Sequence, residues 1–257
     1  MADVDATKPQ DPRGGYRRRL YATYVSETLG PQEWWRGAPG LRRDIVRHLP
    51  RDVSAPILEI GCGHGDLIAV LKEQGYRSVS GVDGSAEQVA LAHQMGRAEV
   101  ELADIRAHLA DRPSAYQAIV AIDVLEHFAK DEILDVLDAV WRALLPGGTI
   151  IIRSPNGAGP FAGRTRYADF THEVAFTTSS ITQVLRATGF AGVRVYPCEP
   201  APHGFLSSAR LVIWRAFALV AKAGLAAETG VVRGHIVTQD LIAVATKPTG
   251  TPPSRGR

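Results

Sequence analysis

Two rhythms alternate along the middle of the chain. Short runs rich in apolar and β-branched residues, at 57–60, 78–82, 100–102, 118–122 and 149–153, read as strands. Between them apolar side chains return every third or fourth position, the period of a helix with one buried face. The stretch 67–74 has Leu67, Ile68, Val70 and Leu71 at that spacing and is closed by Gly75. A second helix is expected over 85–94, where the Ser85 hydroxyl can cap the first free backbone N–H groups. A third is expected over 130–145, stopped by Pro146-Gly147-Gly148. Repeated strand–helix units with apolar strands predict a parallel sheet covered by helices on both faces.

The later part has a different rhythm. A helix over 179–188 ends at Gly189, and strands over 193–196 and 236–245 flank an apolar helix over 209–225. Such a late strand pair can extend the sheet antiparallel. The ends, 1–15 and 248–257, are rich in Pro, Gly, Ser and charge and read as disordered tails. Residues 16–247 then form one domain.

Composition narrows the picture from outside. The 257 residues are 45% hydrophobic with a net charge of +2, which supplies a full core and gives no electrostatic footprint for nucleic acid. Cys62 and Cys198 are too few for a disulfide framework or a cysteine metal site. No charged n-region with an apolar h-region opens the chain. The apolar run at 211–227 holds Arg215, Lys222 and Gly224 and is too interrupted for a transmembrane helix. A soluble cytoplasmic protein is expected.

The chemistry is expected where the first strand meets the first helix, in Glu59-Ile60-Gly61-Cys62-Gly63-His64-Gly65. Glycines let backbone approach a ligand with no Cβ in the way, and a helix N-terminus offers free N–H groups. The second strand ends at Asp83, 22 residues after Gly61, followed by Gly84. A carboxylate there can accept from two ribose hydroxyls. The third strand ends Asp104-Ile105, a carboxylate for an adenine amino group and an apolar side chain for its ring. A nicotinamide cofactor prefers G-x-G-x-x-G, but Asp66 stands where the third glycine would be. Acidic Glu59 and Asp66 around the loop suit a ligand carrying a cation.

These residues, with Asp123-Val124-Leu125-Glu126-His127-Phe128 and Leu145-Pro146-Gly147-Gly148, resemble those of class I S-adenosylmethionine-dependent methyltransferases. The resemblance covers 55–156 and, more loosely, Gly189-Phe190. It implies a Rossmann-like fold: a mostly parallel seven-stranded sheet with an antiparallel last strand and helices on both faces. S-adenosyl-L-methionine is the implied cofactor, held by Glu59, Gly61, Gly63, Gly65, Asp83, Gly84, Asp104, Ile105, Asp123 and Val124. Residues 16–54 would form lid helices, with Tyr21 and Tyr24 at lid positions, and 157–247 the acceptor half.

Methyl transfer to an alcohol benefits from a general base within hydrogen-bond reach. The polar and aromatic loop at 164–173 offers His172, with Asp169 or Glu173 to orient it. His127 is expected in a structural or cofactor-shell role. Glu126, His127, Asp169 and His172 could ligate a divalent ion, but nothing in their spacing demands one, and no metal is assigned. The loop resembles those of bacterial enzymes acting on small molecules, sugars and glycolipids. The expected acceptor is a sugar hydroxyl of a glycan, glycolipid or natural product, small or lipid-linked. A quinone-type aromatic acceptor, a catalytically silent cofactor-binding subunit and a dehydrogenase are the alternatives. The helix over 209–225 is expected in the core or a dimer, or at a membrane surface. The oligomeric state is left open.

Overall fold

The computed structural model describes residues 15–21, 38–202 and 204–250. Tyr24 and nearly all of the two expected tails lie outside the described residues. A helix α1 (Gly15–Tyr21) and a short α2 (Ala38–Asp44) precede the first strand. Then β1 (Ile57–Ile60), α3 (Asp66–Glu73), β2 (Val79–Asp83), α4 (Ala86–Gln94), β3 (Val100–Leu102), α5 (Ile105–Ala110), β4 (Tyr116–Ile122) and α6 (Lys130–Ala143) alternate. The remainder is β5 (Leu144–Pro155), α7 (Ala162–Arg166), α8 (Thr178–Ala187), β6 (Ala191–Pro197), α9 (Phe205–Thr229) and β7 (Asp240–Thr246).

The seven strands form one sheet in the order β3-β2-β1-β4-β5-β7-β6. Neighbours among β1 to β5 pair parallel, and β7 lies antiparallel between β5 and β6. Alternate residues of each central strand feed opposite cores, as the two-residue period requires. Leu58, Ile119 and Ile152 join Leu109, Val136, Leu137 and Leu185 of α5, α6 and α8. Ile57, Val120 and Ile151 join Ile45 and, from α3 and α4, Leu67, Ile68, Leu71 and Ala92. The expected sheet with helices on both faces is what forms.

The differences have local causes. The helix expected over 130–145 ends at Ala143, and Leu144 begins a strand that runs straight through Pro146-Gly147-Gly148. That stretch is held by the far end of the chain: Gly147 N–H donates to the Lys247 carbonyl, and Lys247 N–H to that of Gly148. The last strand starts at Asp240, not at 236. The Asn156 side-chain amide donates to the Ile236 and Thr238 carbonyls at 2.9 and 2.8 Å, which diverts that segment from the ladder. Helix α5 was not foreseen, although Asp104 caps it by accepting from the N–H groups of Arg106 and Ala107.

Candidate active site

The carboxyl edge of the sheet holds a cavity of about 480 Å³. Its walls include Gly61, Gly63, Asp83, Gly84, Asp104, Ile105, Asp123 and Val124, eight of the ten cofactor positions read from the sequence. The glycines are there for space and backbone shape. Gly61 sits at φ +62°, and a Cβ on it would fall within the contact radius of Val124 Cγ2. Gly63, at φ +52°, turns its N–H to Asp83 Oδ2 at 2.8 Å. The other oxygen of Asp83 accepts from Ser85 N–H, also at 2.8 Å. The carboxylate at the end of β2 is thereby fixed in place by two backbone donors, with lone pairs to spare. Burial pushes its pKa up against those hydrogen bonds.

Two expected cofactor residues stand outside the wall. Gly65 begins α3 at φ +80°, where a Cβ would crowd Val100 and Arg97 rather than a ligand. Glu59 is buried in β1, and its Oε2 has no hydrogen-bond partner among the described residues. Burial, with the charges of Asp66 and Asp83, pushes its pKa well up, so a cation nearby would stabilise the ionised carboxylate. Asp66, which the sequence suggested for a cationic ligand, is not among the residues that line the cavity. It pairs with Arg97 at 2.9 Å and His64 at 3.1 Å, and its charge is answered inside the fold.

Asp123 holds a strained backbone, φ +54°, between β4 and the next turn. Arg153, its neighbour on β5, clamps the Asp123 carboxylate with Nε at 3.0 Å and a second contact from Nη2. Arg17 and Tyr21 of α1 reach the same cavity, so one of the two expected lid tyrosines is at its wall. Arg17 is paired there with Glu132 at 2.6 Å. Arg17, Ser85, Gln88, Ala103, Arg106, Phe128 and Glu132 also line the wall, with no role assigned to them from sequence. Phe128 ends the motif that begins at Asp123, and Ser85 had a signal as a cap: its hydroxyl does accept from Gln88 N–H.

At the acceptor side the structure divides the two histidines. His127 lines the cavity, and His172 is not among the lining residues. Their rings meet edge to face, 4.7 Å between centroids. Asp169 does not spend Oδ1 on His172. That oxygen accepts from the Thr171 hydroxyl at 2.7 Å, and Thr171 Oγ1 in turn meets His127 Nδ1 at 2.7 Å. Because the Thr171 proton goes to the carboxylate, Thr171 Oγ1 must accept, and His127 carries its proton on Nδ1. Nε2 of His127 then carries the lone pair of the ring, with no hydrogen bond to it among the described residues. Burial and the neighbouring His172 pull the His127 pKa down to about 4, so the ring is neutral at ordinary pH. His172 Nδ1 faces the Thr165 carbonyl at 3.1 Å, and Glu173 takes Tyr16 and Arg17 of α1.

Glu126, His127 and His172 each bring one ligand atom within 4.8 Å of the others. Three of the four residues considered as metal ligands are therefore together. Glu126 Oε2 accepts from Ser154 at 3.0 Å, and burial pushes its pKa well up.

Comparison with known proteins agrees with this geometry. A family model described as a methyltransferase domain matches residues 34–195. Over 115 residues the chain is 32% identical to the trans-aconitate 2-methyltransferase of Azoarcus sp. (strain BH72), covering 44% of each chain. It is 27% identical over 132 residues to the ubiquinone biosynthesis O-methyltransferase of Xylella fastidiosa (strain 9a5c), 49% of this chain and 52% of that one. The chain thus spans about half the length of the curated relatives it matches. A SAM-dependent methyltransferase of Archaeoglobus fulgidus has the same fold, with a TM-score of 0.63 at 20% identity over 91% of this chain and all of that one.

Proposed function

The chain belongs to the S-adenosylmethionine-dependent class I methyltransferases, and from that premise we propose that it methylates a hydroxyl group of a small-molecule acceptor, a sugar hydroxyl first of all, in the cytoplasm. The cofactor, when bound, supplies an electrophilic methyl group on a sulfonium. This chain's residues suit it. Asp83 is placed to take the ribose hydroxyls, Asp104 and Ile105 the adenine, and Gly61, Gly63 and Asp123 the methionine end. Asp83, Asp104 and Asp123 bring carboxylates to the wall, with Arg153 paired to Asp123 and Arg106 beside Asp104.

The observation that carries the reading is His127: a neutral imidazole at the cavity wall, aimed by the Asp169–Thr171 pair, with Nε2 uncommitted among the described residues. A carboxylate acceptor needs no base. An alcohol does, because its proton must leave as the new bond forms. His127 therefore takes the part that the sequence suggested for His172. Asp169 and Thr171 position it, and Tyr21 and Phe128 help to keep water from the reacting atoms.

The test is transfer of a labelled methyl group from S-adenosylmethionine to a panel of glycosides, catechols and trans-aconitate. A labelled methyl ether on a glycoside is expected. Transfer to a catechol would favour the quinone-type reading, which Tyr21, Phe128 and the match to ubiquinone biosynthesis O-methyltransferases support. Transfer only to the carboxylate of trans-aconitate, or cofactor binding with no transfer at all, would overturn the proposal.

A further inference from the structure

Helix α9 is turned inside out for a domain helix. Its buried residues are Ser207 and Ala218, both small. Leu211, Trp214 and Leu225 are half-buried on the same strip, and the other large apolar side chains face outward: Leu206 is 79% exposed, Ile213 70% and Val220 71%, with Phe205, Val212 and Leu219 exposed beside them. At 100° per residue these positions, with Phe217, occupy an arc of roughly 160° opposite the buried strip. Cations border that arc, Arg215 and Lys222 on one side and Arg210 on the other, and no acid occurs before Glu228. Arg215 contacts Glu199 at 3.0 Å, outside the helix. Among the described residues no helix is long and apolar enough to cross a membrane.

The arc reaches the segment that follows β5. Phe217 stacks on Phe161, which follows β5 and is itself exposed, at 5.6 Å between ring centroids. Tyr167 and Phe170, in the same loop, are also exposed. Phe170 meets Tyr16 edge to face at 6.1 Å, and the next residue, Arg17, lines the cavity. Exposed aromatic rings thus stand at both ends of this segment, Phe161 against α9 and Phe170 against Tyr16 of α1.

We infer that α9 lays the acceptor side of this protein on an anionic lipid surface, and that the acceptor is borne by an amphiphile in that surface. An apolar arc bordered by arginine and lysine is the pattern of a helix lying in the interface plane, its chains buried and its cations at the headgroups. A second copy of this chain fits less well, since a two-fold pairing of α9 would bring Arg210 and Lys222 of both copies together with Glu228 as the one acid each helix carries. The second half of the inference rests on the O-methyl transfer reading; the first does not.

The experiment is flotation of the full chain with vesicles of phosphatidylcholine alone or mixed with phosphatidylglycerol. The chain should float with the mixed vesicles, weakly or not at all with the neutral ones, and less as salt rises. I213E with V220E should lower the bound fraction about tenfold or more, while the dissociation constant for S-adenosylmethionine stays unchanged and certifies the fold. No flotation with anionic vesicles, or equal flotation of the variant, would overturn the surface. So would a wild-type dimer in sedimentation velocity that the variant dissociates and vesicles do not. Vesicle binding together with failure to methylate any hydroxylated acceptor, lipid-linked or soluble, would keep the surface and remove the acceptor assignment alone.

Discussion

The halves of the cavity are built from different materials. On the cofactor side the working parts are backbone: glycines with φ between +52° and +62°, N–H groups at a carboxylate, and strand ends that arrive in order. On the acceptor side they are side chains far apart in sequence, His127 held through Thr171 by Asp169, and Arg17 from α1 against Glu132. Backbone devices leave a local signature of residue type and spacing. Side-chain relays do not, and that difference governs both what can be read from the sequence and how each half fails.

The largest effect should separate the halves most cleanly. His127→Ala is expected to lower turnover about 10³-fold and leave cofactor affinity within a few-fold, by rate assay and calorimetric titration. Equal loss of both would show that His127 serves the cofactor. Asp83→Ala should do the opposite. It leaves the Gly63 and Ser85 N–H groups unpaired and should weaken cofactor binding about 100-fold, with a lower melting temperature. Asp169→Asn keeps the shape and removes the charge that Thr171 answers. A fall in kcat of about tenfold with unchanged KM for the cofactor marks it as a positioning residue; an unaltered kcat removes it from the relay.

The pH profile gives a finer cut. His127 acts as the neutral ring, so activity is lost as pH falls through its pKa. With that value near 4, the acid limb should lie well below the 6.5 of an ordinary histidine. His172→Ala removes one cause of the depression and should move the limb upward. A limb fixed near 6.5 in both proteins would assign the proton to another group. The smallest effect is expected from a chelator, which should leave turnover unchanged. Loss restored by a divalent ion would instead make Glu126, His127 and His172 a metal site.

Legibility followed the same line. Asp83 and Asp104 could be placed at the cavity wall because a strand end fixes where its next residue goes, while Asp123 was read from the family resemblance. Ser85 was found because a cap acts within one helical turn. The run of β5 through Pro146-Gly147-Gly148 was hidden because its partner, Lys247, lies about a hundred residues away. The pairing of Asp66 was hidden for a related reason. Its partner His64 is near in sequence, but Arg97, the permanent cation, follows α4 and lies out of local reach. The link from Asp169 to His127 was not legible, because a hydroxyl, Thr171, stands between carboxylate and imidazole.

The place of β7 between β5 and β6 also sets an order of events in synthesis. β6 is bonded to β7 alone, so residues 191–197 have no strand to join until 240–246 have been made. The parallel half is complete long before. A nascent chain therefore displays the cofactor side with an open edge at β5 until its last strand arrives, and that edge is where a stalled or shortened chain would join a neighbour.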